Sequence, residues 1–138
     1  MKKKTSAEYP IIELRVALTT SDYDRMVKFY CDGLGIEPAQ VWHNQQGCAM
    51  MLEMGKATLE IFDEAQAQMI DELEAGRRCS GQIRFALQVP DVEKAMGGFL
   101  AHGAVLVHQP VLTPWGDQNA RIQDPDGMQI TLFQKPAD

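Results

Sequence analysis

The sequence has no excess of positive charge: 13 Lys and Arg stand against 19 Asp and Glu, a net charge of −6. Without a cationic stripe to release counterions from phosphates, nucleic acid is not expected as a partner. Nor does any apolar run approach the roughly 18–20 uninterrupted residues of a membrane-spanning helix, so no membrane partner is expected. Cysteine is scarce. Cys31, Cys48 and Cys79 are widely spaced and form no CxxC pair, which excludes a disulfide framework and points to a reduced, cytoplasmic protein. Met1-Lys2-Lys3-Lys4 has the charge of a secretory leader's first region, but Glu13 and Arg15 break the apolar stretch behind it, so no leader is expected. Histidine is equally sparse, and no two of His43, His102 and His108 have the i,i+2 or i,i+4 spacing of a metal pair. There is no Ser/His/Asp grouping, phosphate-binding glycine loop or dinucleotide fingerprint.

What is present is a globular balance, 45% hydrophobic and 23% charged, which excludes disorder, in a length that suits one domain with a real core. The chain also repeats itself. Leu14-Arg15-Val16-Ala17-Leu18 aligns with Ile83-Arg84-Phe85-Ala86-Leu87, and the same offset pairs Asp22 with Asp91 and Tyr30 with Phe99. Near the end of each half, Leu59-Glu60-Ile61-Phe62 aligns with Ile130-Thr131-Leu132-Phe133. Ordered matches at both ends of each half indicate two copies of one supersecondary unit.

Each unit opens with an alternating strand, 13–19 and 82–89, whose apolar face meets a helix while its other face is polar enough for a cavity or solvent. A helix follows at once. Ser21 with Asp24 resembles a capping box ahead of Met26, Val27, Phe29 and Tyr30, and Pro90-Asp91 opens the second helix, with Val92, Ala95, Met96, Phe99 and Leu100 inward. Gly33, Gly35 and Gly103 mark the helix exits. Three further strands are expected in each half: 38–42, 48–53 and 57–62 with a Met54-Gly55-Lys56 turn, then 105–107, 119–123 and 129–133 with Asp124-Pro125-Asp126-Gly127 as the last turn. Between the halves, 64–75 has helical spacing and stops at Gly76, and its acidic residues Asp71, Glu72 and Glu74 are expected to be solvated. The order βαβββ, helix, βαβββ makes an α+β protein: one domain over 10–135, with modules 10–63 and 81–135 and a linking helix 64–76.

Two βαβββ units, an Asp-capped helix after each first strand, Arg15 to Asp22 leading to Lys28-Phe29-Tyr30, and the Asp-Pro-Asp-Gly turn resemble the vicinal-oxygen-chelate superfamily, the glyoxalase, bleomycin-resistance and ring-cleaving dioxygenase group. The resemblance covers about 12–134. It implies that the eight strands curl into a cup-shaped mixed sheet, that enzymes of the group hold a divalent metal on the polar faces of the first and last strand of each unit, and that the chain is a homodimer. Those ligand positions fall on Arg15, Glu60, Arg84 and Thr131. Guanidinium offers no lone pair, so no metal and no other cofactor is expected here.

The expected site is therefore Arg15, Glu60 and Arg84 converging in the cup with Thr131, together with Phe62, Trp115 and Arg121 as ligand-binding residues. Arg15, Glu60 and Arg84 alone leave one positive charge, which suits an anionic or planar small molecule. A structural Arg–Glu–Arg cluster weighs equally and is compatible with that role. Two arginines should depress the Glu60 carboxyl, which makes it a weak candidate base. The leading expectation is metal-independent binding of a small molecule, resembling the drug-sequestering branch of the group. The alternative is a glyoxalase-type lyase, isomerase or dioxygenase with a rearranged or absent metal site, and a weaker third reading is a ligand-sensing or protein-interaction module with a filled, purely structural cup.

Overall fold

The structure is a computed structural model that describes residues 10–34, 36–55 and 57–137. Expectations for Met1 to Lys4, Gly35, Lys56 and the side chains of Phe29 and Tyr30 lie outside what is described. The elements in chain order are β1 (Glu13–Thr20), α1 (Tyr23–Leu34), β2 (Gln40–Asn44), β3 (Gly47–Met54), β4 (Ala57–Asp63), α2 (Glu64–Ala75), β5 (Ile83–Gln88), α3 (Val92–Ala101), β6 (Val105–Leu112), β7 (Gln118–Gln123) and β8 (Gln129–Gln134). The order is the duplicated βαβββ of the sequence, with the linking helix at its expected bounds.

All eight strands form one curled sheet in the order β2-β3-β4-β1-β5-β8-β7-β6. Within each module the first strand runs parallel to the last, and the modules join where β1 meets β5 antiparallel. The helices start where short polar side chains meet free backbone N–H groups. Asp22 Oδ1 accepts from the Arg25 N–H (3.4 Å), Asp63 Oδ1 from Gln66 (2.8 Å) and Asp91 Oδ1 from Lys94 (3.1 Å). Asp22 thus does the capping expected of Ser21. Two strands differ from expectation. β2 is shifted to Gln40–Asn44, and β6 runs five residues further, to Leu112, because register shifts around His108 admit Pro110 on an edge strand.

Alternation divides the core into two layers. On one face α1 places Tyr23, Met26 and Val27 on Met50, Leu52 and Ile61, while α3 places Val92 and Ala95 on Ala120, Ile122 and Leu132. The other face carries α2, which touches β1, β3, β4, β6 and β7 and packs Ala67 and Ile70 on Ala17, Ala49 and Phe62. This placement corrects the expected solvated acidic face. Glu72 is exposed, but Asp71 and Glu74 share the buried stripe of α2 and are each 1% exposed.

Candidate functional site

The register fixes what shares the cup floor. Ala17 pairs with Glu60 on β4 and Arg84 on β5, and Arg15 pairs with Thr58 and Ala86, so two arginines and two alanines alternate across the β1–β5 seam. Ala86 leaves space that the longer side chains surround, while Ala17 is covered by Ala67 and Ile70 of α2. A cavity of about 800 Å³ opens above Ala86, floored by Arg15, Glu60, Arg84 and Thr131 and walled by Phe62 and Phe133. Both tryptophans of the chain line it as well. Trp115 stands at the mouth, 47% exposed, on a turn closed by the Thr113 N–H to the Asp117 carbonyl (2.8 Å), with its indole N–H donating to Asp117 Oδ2 (3.1 Å).

Each cation of the seam lies over a ring from the other module: the Arg15 guanidinium is 4.6 Å from the Phe133 centroid and that of Arg84 is 5.7 Å from Phe62. Their polar partners differ. Arg15 Nε donates to Glu13 Oε1 (3.0 Å), and Glu13 also accepts from the Thr58 hydroxyl. Arg84 Nη1 donates to Thr131 Oγ1 (2.7 Å), and among the described residues its guanidinium makes no second hydrogen bond. Thr131 donates onward to Glu74 Oε1 (2.5 Å).

Glu60 makes no hydrogen bond among the described residues. Burial raises its pKa, the charges of Arg84 and Arg15 oppose that, and Glu74 and Glu13 add to it; the outcome is upward. The depression expected from two neighbouring arginines is thereby overturned, because desolvation outweighs two cations that do not touch the carboxylate.

Arg121 does not line the cavity. Fully buried behind Thr131, it donates to Asp71 Oδ1 (2.9 Å), Glu74 Oε1 (3.1 Å), Ser80 Oγ (2.9 Å) and Gln129 Oε1 (3.1 Å). Burial alone would raise the Asp71 pKa, but the Ser80 hydroxyl, the Ser80 and Cys79 N–H groups and Arg121 together hold it far below the usual carboxylate range. Arg78 Nη1 braces the same carboxylate (2.9 Å). The expected positive surplus also goes: Arg15, Arg84 and Lys135 line the cavity against Glu60, Glu72, Glu74 and Asp117. Sequence reasoning missed Asp71, Glu74 and Arg78. The available signal was that Asp71 and Glu74 follow Ala67 and Ile70 on one helical stripe.

The four positions that the resemblance assigns to a metal do not fit one here. Two carry guanidinium, Thr131 is engaged on both sides, and only Glu60 supplies a free anionic donor. Among the described residues no group of three or more His, Cys, Asp or Glu is placed to hold a metal ion. His102 instead caps α3, with Nδ1 2.9 Å from the Gly98 carbonyl oxygen.

A profile of the Glyoxalase/Bleomycin resistance protein/Dioxygenase superfamily matches residues 14–132, and the chain belongs to that superfamily. It is 26% identical over 125 residues to YraH, an uncharacterized protein of Bacillus subtilis strain 168, covering 88% of this chain and 96% of that protein. Among solved structures, methylmalonyl-CoA epimerase of Mycobacterium tuberculosis superposes with a TM-score of 0.69 at 18% identity, over 96% of this chain and 94% of that one. The epimerase of Streptomyces coelicolor, in complex with 2-nitronate-propionyl-CoA, gives 0.67 at 18% identity, over 94% and 100%. At such identities the likeness is one of fold.

Proposed function

We propose that the domain over 10–135 binds a small planar molecule in its cup without a metal, and that holding this molecule is its activity. The observation that carries the reading is the Arg84 guanidinium, which has N–H groups left over at the floor of a cavity walled by Phe62, Phe133, Trp42 and Trp115. The volume is that of an ordinary small-molecule site, and the aromatic walls suit a flat body. The reading places the protein in the cytoplasm as a homodimer, which sedimentation equilibrium checks directly; a monomer across the micromolar range refutes the dimer.

Because both tryptophans line the cavity, their fluorescence reports occupancy. Bicyclic probes, carbostyril and naphthoate, should quench it saturably. Arg84→Lys keeps the charge but loses the fork and should weaken binding about tenfold, the size of one hydrogen bond to a charged group. Unchanged affinity would remove Arg84 from the site.

A second reading is favoured by the raised Glu60 pKa. A carboxylate with this basicity takes a proton from carbon beside a carbonyl, the C–H electron pair moves onto the carbonyl oxygen, and Arg84 stabilises the resulting enolate. Return of the proton to the same face regenerates the substrate, and delivery to the opposite face of the planar enolate inverts that carbon, an isomerisation of the kind named for the epimerase neighbours. Methylmalonyl-CoA incubated with the protein in deuterium oxide should then exchange its α-proton, and Glu60→Gln should abolish the exchange. Absence of exchange with wild type removes this reading and leaves binding untouched.

A further inference from the structure

We infer that the cup floor reads an uncharged hydrogen-bonding edge: a planar molecule with a carbonyl oxygen next to an N–H, as in a lactam, seated with the oxygen on Arg84 and the N–H on Glu60. This rests on the binding reading above and names the class of ligand. The register supplies the geometry. Glu60 and Arg84 flank the same residue, Ala17, on the two neighbouring strands, so their side chains rise on either side of one methyl group. Strands lie about 4.8 Å apart, which spreads the two backbones about 10 Å. Both side chains line the cavity, with Ala86 beside them, whereas Ala17 itself is covered by Ala67 and Ile70 of α2.

Hydrogen bonding and charge both select the occupant. Glu60 is an acceptor with no donor, and Arg84 is a donor with N–H groups to spare, so the pair lacks one acceptor and one donor side by side. Arg15 makes no hydrogen bond to Glu60 among the described residues: its Nε donates to Glu13 Oε1 and its guanidinium lies over the Phe133 ring. A carboxylate ligand would satisfy Arg84 but would face Glu60, with Glu74 behind Thr131 adding the same sign. With three cations (Arg15, Arg84, Lys135) and four anions (Glu60, Glu72, Glu74, Asp117) lining the cavity, nothing repays that repulsion. A lactam edge satisfies both groups and brings no charge.

Three probes of similar size decide the matter, with tryptophan quenching and isothermal titration as readouts: carbostyril, its N-methyl derivative and naphthoate. Carbostyril should bind most tightly to wild type, with N-methylation weakening it about tenfold and naphthoate weaker than the parent lactam. In Glu60→Met the two lactams should bind alike. The wild-type comparison stands even if that variant does not fold. If naphthoate binds more tightly than carbostyril, or if the N-methyl derivative equals its parent, the inference falls while the binding reading survives. If none of the three binds, both fall.

Discussion

Arg121→Met should destabilise the protein by about 3–5 kcal/mol, because it strands Asp71 and Glu74 as buried carboxylates without their shared cation. Glu74 would keep Thr131 and Asn119 as donors, and Asp71 would keep Arg78 and Ser80, but both would lose the guanidinium between them. Glu72→Ala, on the exposed side of the same helix, should stay within about 0.5 kcal/mol. Urea unfolding of the three proteins checks this, and a loss below about 1 kcal/mol for Arg121→Met would show that water reaches the network. The pH dependence has two opposite parts. Asp71 has a depressed folded pKa, so its contribution is present above its ordinary value of 3.8 and is lost as the pH falls through the folded one. Glu60 has a raised folded pKa, so its buried charge costs stability at neutral pH, and wild type should gain on Glu60→Gln as the pH falls toward 4.5.

Gly47→Ala should cost about 2–6 kcal/mol, adding strain of about 1–3 to overpacking of about 1–3. Gly47 has φ +128°, and a Cβ there would lie 2.4 Å from the Gln66 backbone nitrogen and 2.6 Å from Asp63 Oδ1, the pair that forms the N-cap of α2. That contact is with backbone, which does not swing away. Gly55 also has positive φ (+74°) but open space around it, so Gly55→Ala isolates the strain and should cost only about 1 kcal/mol. Thermal unfolding of the pair separates the two terms, and equal losses would show that the tip of β3 yields to the added methyl.

The fold was legible because its signals are local and doubled. Alternation in Leu14 to Leu18 and again in Ile83 to Leu87, the aspartates at 22 and 91, and the 124–127 turn all report structure within a few residues of themselves. The first layer of the cup came from the resemblance, whose ligand positions fall on Arg15, Glu60, Arg84 and Thr131, and the strand register carries these four on one face. What was hidden depends on where α2 lies. An acidic helix face reads as solvated unless its counter-charge is known, and Arg121 is 50 residues from Asp71. The direction of the Glu60 shift was hidden for a related reason: the resemblance implies proximity to two arginines, but not the absence of direct contact or the depth of burial.

Arg15 rests on Phe133 and Arg84 on Phe62, so each duplicate has lent its ring to the other's cation. An isolated half would own a guanidinium without its ring and a ring without its guanidinium. The duplication is therefore not a spare copy. A change in either half alters which replacements the other half tolerates, and the two repeats are free to drift only as a matched set.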